Sequence, residues 1–353
     1  HPRQVQVPPR PAGESAGVTV CASERIVVLA VLCSLALLYV AAGGMLVRAG
    51  RDWLAGRRGR EQARRHSRSY LWRRRVVLAM AAAGVVCMAY GYFIEPGWLE
   101  VTRVRVASDR LGGAARPVRI VQISDIHCEA CAGPVEELPD IVAGIKPDVI
   151  VFTGDAINKR EAAGRFRRCM SRLAAIAPTL AVRGNWDTDY FPDVDVFGGT
   201  GVEQLEGRAV KLTVAGADVW FAGAAAHSED DISTALDSAP DGACKVLLCH
   251  YPDPILEVAA RGDVDLQLSG HIHGGQIALP FYGAMVTLAR HGKRFERGLY
   301  RVGPTSLYVS RGIGMDGGRA PRVRFCSRPE RTLIELAPAP AAAFAPATAE
   351  KTR

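Results

Sequence analysis

The chain has 353 residues, of which 48% are hydrophobic and 23% are charged, and its formal net charge is +8 at pH 7. This composition is ordinary for a globular protein and is sufficient for one sizeable domain with appendages. The positive charge is confined to residues 48–75, which hold eleven arginines against one aspartate and one glutamate, while the rest of the chain is close to neutral. A nucleic-acid enzyme more often spreads basic charge around its site, so we expect no nucleic-acid partner.

Two apolar runs flank this basic segment, at residues 26–47 and 76–94. Each is close to the ~20 residues that cross a bilayer as a helix, so we predict a transmembrane hairpin over 25–95. The alternative is a pair of core helices buried in a soluble domain. A loop this basic is expected to stay in the cytoplasm, which would place the remainder of the chain outside it.

The rest of the chain divides into one domain and two terminal segments. Residues 1–24 are polar and proline-rich, and residues 337–353 are rich in alanine and proline, so both are predicted to be disordered. Between the hairpin and the tail we predict a folded domain over 101–336. Its buried β-branched runs alternate with segments of helical spacing, which predicts an α/β fold with two sheets. Strands are predicted at 118–123, 148–152, 179–182, 210–214, 219–222, 245–249, 265–268, 299–302, 306–309 and 332–336, and helices at 136–145, 161–176 and 254–260.

Polar residues follow five of these strands, at the point where each strand ends. Carboxyl ends of parallel strands meet at one edge of a sheet, so we expect these side chains to lie close together. We also expect the D-x-H and H-x-H spacings to place their paired side chains on one side of an extended segment. The alternative is that each is a separate cap or turn residue. The seven candidates are Asp125, His127, Asp155, Asn185, His250, His271 and His273.

The residue types in this set suit divalent metal ions. Imidazole and carboxylate ligands favour zinc, iron, manganese or nickel, whereas a softer site would require thiolates. A carboxylate such as Asp155 can bridge two ions ~3.5–4 Å apart, and such a pair can hold both oxygens of an in-line displacement. The sequence therefore predicts a site for two divalent metal ions at this edge.

The order of the motifs, D-x-H, G-D, G-N, H and G-H-x-H, resembles the calcineurin-like metallophosphoesterase superfamily over about residues 118–336. Residues 270–276, 290–300 and 310–312 are similar to its bacterial branch of YkuE/YaeI-type phosphodiesterases, which includes a UDP-2,3-diacylglucosamine hydrolase. The resemblance implies a four-layer αββα sandwich, in agreement with the two predicted sheets. It also implies that a hydroxide bridging the two metals attacks the phosphorus of a phosphoester.

Carried over by position, the resemblance assigns each candidate a role. Asp125, His127 and His273 would bind the first metal, and Asp155 would bridge the two. Asn185, His250 and His271 would bind the second metal. Asp155, Asn185 and His250 would be the catalytic members of the set.

One position departs from the family pattern. Many members have a histidine directly after the G-N asparagine, where it protonates the leaving group or stabilises the transition state, and this chain has Trp186 there. Indole donates one N–H but is not an acid near neutral pH. Either the substrate has a good leaving group, or another residue takes this role, with Asp187, His227 and Arg183 as candidates. Trp186 itself is then a packing residue or a platform for the substrate.

These expectations combine into a membrane-anchored phosphohydrolase or phosphodiesterase that acts on a phosphoester, with a lipid-linked substrate as the narrower expectation. Its catalytic domain is expected to be extracytoplasmic, and the cytoplasmic face is the alternative. The first competing hypothesis is a UDP-2,3-diacylglucosamine pyrophosphatase-like hydrolase of lipid sugars. The second is a non-catalytic membrane scaffold that binds metal.

Overall fold

The computed structural model describes residues 3–4, 22–57, 67–129, 135–226, 228–316 and 321–339. Predictions for most of 1–24, for His227 and for the tail beyond residue 339 lie outside these ranges. The described helices are α1 (Ala22–Arg57), α2 (Arg68–Phe93), α3 (Leu138–Ile145), α4 (Ala163–Ala174), α5 (Glu229–Asp237) and α6 (Ile255–Arg261). The described strands are β1 (Arg3–Gln4), β2 (Glu100–Ser108), β3 (Val118–Ile123), β4 (Val149–Thr153), β5 (Thr179–Val182), β6 (Glu203–Gln204), β7 (Arg208–Val214), β8 (Ala217–Ala224), β9 (Cys244–Cys249), β10 (Leu266–Ser269), β11 (Ala278–Leu279), β12 (Gly283–Ala284), β13 (Gly298–Val302), β14 (Thr305–Val309) and β15 (Glu330–Pro338).

Helices α1 and α2 pack against each other as the predicted hairpin. Both are long and apolar enough to cross a membrane. Of the most apolar stretch of each helix, only 6% is buried in α1 and 11% in α2, so neither is a core helix of the folded domain. Both extend beyond the apolar runs into the basic segment, because α1 continues to Arg57 and α2 begins at Arg68. Part of the predicted basic loop is therefore helical.

Two large sheets form the rest of the fold. Sheet I has the order β2-β15-β3-β4-β5-β6, and sheet II has the order β1-β13-β14-β10-β9-β8-β7. Strands β3 to β6 are parallel neighbours in sheet I, and β8, β9, β10 and β14 are parallel neighbours in sheet II. In each sheet the carboxyl ends of these strands therefore lie along one edge.

The sheets pack face to face over one apolar core, with helices outside them. Ile120 and Val151 of sheet I meet Phe221 and Leu248 of sheet II between the sheets. Helices α3 and α4 cover the outer face of sheet I, and α5 and α6 cover the outer face of sheet II. The predicted four-layer αββα sandwich is confirmed.

Some element boundaries differ from the sequence prediction. Strand β15 runs to Pro338, because it pairs with β2 along its whole length, so the predicted tail does not begin at residue 337. The strand β2 and the helix α5 were not predicted. The turn between β7 and β8 lies at residues 215–216, between the strands predicted at 210–214 and 219–222.

Candidate metal centre

The seven candidates identified from the strand ends lie at one rim, formed by strands of both sheets. Strands β3, β4 and β5 of sheet I, and β9 and β10 of sheet II, are each followed within three residues by one of them. All except Asn185 and His271 are buried. We call the set the rim residues; they are Asp125, His127, Asp155, Asn185, His250, His271 and His273.

Four rim residues form a compact cluster. Asp125, His127, Asp155 and His273 each offer one ligand atom, and these four atoms lie within 4.8 Å of one another. The Nε2 atoms of His127 and His273 are 3.1 Å apart, and Asp125 Oδ1 is 3.4 Å from His273 Nε2. Asp125 Oδ2 is buried and has no hydrogen-bond partner within the described part of the chain. A buried carboxylate oxygen without a partner is costly, and a bound cation would compensate that cost.

The other three rim residues meet beside the same carboxylate. Asp155 Oδ2 is 3.3 Å from His250 Nε2, and Asn185 Oδ1 is 3.1 Å from His250 Nε2 and 3.0 Å from His271 Nδ1. His250 Nδ1 donates to Thr153 O at 2.7 Å. His271 Nε2 donates to Leu288 O at 3.0 Å. In the neutral rings, His250 Nε2 and His271 Nδ1 then carry lone pairs that face the oxygens of Asp155 and Asn185. Lone pairs that face one another in this way suit a bound cation.

The backbone at the rim is not the extended segment that the sequence spacing implied. Asp125, His127, Asp155, His271 and His273 have positive φ angles of 49°, 43°, 61°, 69° and 53°. Such angles are uncommon for residues other than glycine. Asp125 and His127 lie in one cluster, as expected. The other pair separates, because His271 contacts Asn185 whereas His273 contacts His127. The prediction that the H-x-H pair lies on one side of an extended segment is therefore wrong.

Two glycines let these left-handed segments approach each other. A Cβ atom at Gly270 would overlap the Ser124 hydroxyl and the Asp125 carboxylate, and a Cβ at Gly184 would overlap Asp155. Only glycine leaves room for a neighbouring carboxylate at these positions.

The buried carboxylates dominate the electrostatics of the rim. Burial raises the pKa of Asp125, and the nearby Asp155 carboxylate adds to the rise. Burial also raises the pKa of Asp155, but His250 and His127 lower it more, so its net pKa is below the usual range. Burial lowers the pKa of His250, while Asp155 raises it more, to about 9. The oxygens of this rim thus favour a positive charge between them, whether a proton or a metal ion.

Several supporting residues could not be identified from the sequence. Asn158 Oδ1 lies 2.8 Å from His127 Nδ1 and orients that ring. Arg324 is fully buried beside His273, with its Nη2 atom 3.3 Å from His273 Nδ1. Asn158 follows Asp155 by three residues, which is a weak signal, whereas nothing in the sequence around Arg324 marks it.

Trp186 and the two described candidates for the leaving-group acid, Asp187 and Arg183, occupy different positions. The Trp186 indole meets His127 edge-on at 5.3 Å and stacks on Tyr190 at 4.6 Å between ring centroids. Burial, followed by Asp155, raises the pKa of Asp187 to about 6, but both of its oxygens accept backbone N–H groups, including that of Asp155. Arg183 is paired with Glu206 at 2.7 Å. Of these three residues, Trp186 is the one whose ring contacts the ring of a rim residue.

Known proteins resemble this chain across the same region. Residues 118–275, which contain all seven rim residues, match the family model for calcineurin-like phosphoesterases. The chain is 34% identical over 277 residues to the uncharacterized metallophosphoesterase YkuE of Bacillus subtilis, covering 73% of this chain and 92% of that protein. It is 32% identical over 285 residues to the phosphodiesterase YaeI of Escherichia coli, covering 75% and 98%. It is 25% identical over 318 residues to the UDP-2,3-diacylglucosamine pyrophosphatase LpxG of Chlamydia trachomatis, covering 72% and 94%.

Proposed function

Because this chain belongs to the calcineurin-like metallophosphoesterase family, we propose that it is a membrane-anchored hydrolase that uses two divalent metal ions to cleave a phosphoester bond. The observation that carries the proposal is the convergence of the seven rim residues, all candidate metal ligands from five strand ends, with the buried Asp155 between the other six. Manganese, zinc, iron and nickel all suit this set of imidazole, carboxylate and amide ligands.

In the proposed arrangement, each ion has its own ligands and Asp155 is shared. Asp155 Oδ2 lies 3.4 Å from His127 Nε2 and 3.3 Å from His250 Nε2, between the two groups of ligands. Asp125, His127 and His273 would hold the first ion. Asn185, His250 and His271 would hold the second.

The chain's own residues keep these ligands in place. The Trp186 backbone N–H donates to Asp155 Oδ1 at 2.8 Å, which leaves Oδ2 directed at the histidines. Asp187 accepts the backbone N–H groups of Asp155 and Gly184, at 2.9 Å each, and so fixes the two strand ends relative to each other. Two divalent ions bound here would lower the pKa of a water molecule from about 15.7 toward 7 and so supply a nucleophile at neutral pH.

The substrate side of the site is aromatic. Trp186 and Tyr190 stack beside the first cluster, and Tyr190 is 61% exposed, so a planar or apolar part of a substrate can lie against this pair. Indole supplies no acid for the leaving group. We therefore infer a preference for phosphoesters with good leaving groups, such as nucleotide phosphates or aryl oxides.

A narrower candidate is the hydrolysis of a lipid-linked pyrophosphate. It is favoured by the similarity to LpxG across 94% of that protein's length, together with the hairpin that would hold the domain at a membrane. The extracytoplasmic orientation that we propose from the arginine-rich segment opposes it, because such a substrate is made on the cytoplasmic side.

The test of the main proposal uses the full chain in detergent. We expect turnover of bis-p-nitrophenyl phosphate that is lost with a chelator and restored by manganese, zinc or nickel. Asp155→Ala should lower kcat/KM by about 10³-fold or more, since several kcal/mol of transition-state stabilisation depend on the metals. Asp218→Ala, which removes an exposed partner of Lys211, is the control and should behave like wild type. A protein that binds metal yet turns over no phosphoester would favour the scaffold alternative.

A further inference from the structure

Each membrane helix ends in a buried glutamate that contacts the folded domain next to a rim histidine. Glu24, in the first turn of α1, is 2% exposed, and Glu95, just after α2, is 1% exposed. A buried carboxylate is stable only when hydrogen bonds replace its water. Both glutamates accept those bonds from segments that are themselves hydrogen-bonded to rim histidines. The contacts therefore connect the helices to the rim as well as to the domain.

The contact from α2 leads to His273. The Glu95 carboxylate accepts the backbone N–H groups of Cys326 and Ser327, at 3.0 and 2.5 Å. The Ser327 hydroxyl in turn donates to His273 O at 2.6 Å. His273 has a φ of 53°, a conformation that persists only where neighbouring groups hold it.

A second bond ties α2 to the same segment. The Arg324 backbone N–H donates to Gly91 O of α2 at 2.9 Å, and the Arg324 side chain donates to Ser327 O at 2.9 Å. The aromatic rings of Tyr90 and Phe325 also meet edge-on. The segment from Arg324 to Ser327 is therefore fixed to the end of α2 on one side and to His273 on the other.

The contact from α1 leads to His271. The Thr287 hydroxyl donates to Glu24 Oε1 at 2.8 Å. The next residue, Leu288, accepts the Nε2–H of His271 through its carbonyl at 3.0 Å, which directs His271 Nδ1 toward Asn185. Hydrogen bonds of this kind fix the orientation of a histidine ligand and raise its affinity for metal.

We propose that the membrane hairpin is a structural part of the metal centre, in which Glu95 and Ser327 position His273 for the first ion, and Glu24 and Thr287 position His271 for the second. These four are positioning residues, since none of them reaches the ligand clusters directly. The proposal rests on the proposed function, because it requires that the two ions bind.

The test is Mn²⁺ binding by the full chain in lipid nanodiscs, measured by equilibrium dialysis and metal analysis. Ser327→Ala and Glu95→Gln should each lower the affinity for one of the two Mn²⁺ ions by about 10–100-fold, the usual effect of removing a hydrogen-bond partner of a metal ligand. Thr287→Val, which keeps the side-chain shape but lacks the hydroxyl, should weaken the other Mn²⁺. Glu203→Gln, at the exposed pair with Arg208, is the control and should retain both ions.

Combining the variants separates positioning from a general loss of stability. Ser327 and Glu95 act on the same ion, so the double variant should lose tight binding of that one Mn²⁺. The triple variant that also carries Thr287→Val should lose tight binding of both Mn²⁺ ions. The thermal midpoint of the metal-free protein should fall by only a few degrees in Ser327→Ala and Thr287→Val, because each variant loses one buried hydrogen bond. Wild-type affinity for both ions in all variants would overturn the proposal, as would loss of both ions in either single variant together with a much lower metal-free midpoint. Wild type that binds no Mn²⁺ would instead refute the proposed function.

Discussion

At the rim, individual residues combine two unfavourable features, a buried charge and a left-handed backbone. Asp125 and Asp155 are buried carboxylates with φ angles of 49° and 61°. Each such backbone conformation costs on the order of 1–3 kcal/mol, and the buried Asp125 Oδ2, which has no hydrogen-bond partner within the described residues, adds to that cost. Together these costs indicate that the metal-free rim is destabilised, and that a bound cation would repay much of the difference.

Trp186 is the residue at which the reaction's preference can be tested. In Trp186→His, a general acid would be introduced beside His127, and general acids typically contribute ~10²–10⁴-fold. We expect kcat for an alkyl phosphodiester to rise by at least about 10-fold, with little change for a p-nitrophenyl ester, whose leaving group needs no proton. Trp186→Phe is the control and should show no gain. Equal acceleration of both substrates would show that Trp186 does not set the leaving-group preference.

Among the secondary-structure elements, the strand ends determine the site. Five strands from two sheets stop at one rim, and the turns that follow carry all seven rim residues. These turns pack closely, as the glycine that follows β10 illustrates, since a Cβ at Gly270 would enter the space of Asp125.

The variant Gly270→Ala tests this packing. Overpacking costs about 1–3 kcal/mol, which in a domain of this size lowers the thermal midpoint by roughly 2–10 °C. We also expect weaker Mn²⁺ binding, because Asp125 must move. Gly144→Ala in α3 is the control, since an added Cβ there meets nothing within 4 Å, and alanine is the better helix former. A Gly270→Ala protein as stable as wild type, with full Mn²⁺ binding, would contradict the packing described here.

The elements also show which parts of the fold could be predicted. Strands β3 and β5 have the predicted bounds, because buried β-branched runs between polar residues are a strong local signal. Helix α5 was missed because it has only nine residues and an acidic first turn, although Ile232, Ala235 and Leu236 form one buried face. Strand β2 was missed although its side chains alternate between inward and outward positions. The contacts of Glu24 and Glu95 could not be predicted, because they join positions more than 200 residues apart in the chain.

In the whole molecule, the hairpin and the domain are joined on one side. Helix α1 begins, and helix α2 ends, against the folded domain, so the Arg57 end of α1 and the Arg68 end of α2 lie away from that domain. The arginine-rich residues 48–75 span these two ends in the sequence, and by the positive-inside rule they favour the cytoplasm. The same contacts place the domain ends of both helices beside the segments that contact His271 and His273.

We propose from this arrangement that the folded domain is extracytoplasmic, which fusions expressed in a bacterial inner membrane can test. A reporter phosphatase fused after residue 353 should be active, because it requires an extracytoplasmic location, and a fluorescent protein that matures only in the cytoplasm should be dark there. Replacing the arginines between residues 48 and 75 by glutamine should lower the phosphatase signal. The control replaces the exposed Arg103 and Arg105 of β2 and Arg168 of α4 by glutamine, and it should leave the signal unchanged. The opposite pattern in the two fusions would place the rim in the cytoplasm and restore the lipid-sugar substrate as a candidate.

The most direct measurement of the central claim is the metal content of the purified full chain after saturation with Mn²⁺ and removal of free ions. We predict two Mn²⁺ per chain for wild type, and at most one for Asp155→Ala, because in the proposed centre both ions share that carboxylate. A wild-type chain that retains no Mn²⁺, or only one ion that survives Asp155→Ala, would contradict the two-metal centre.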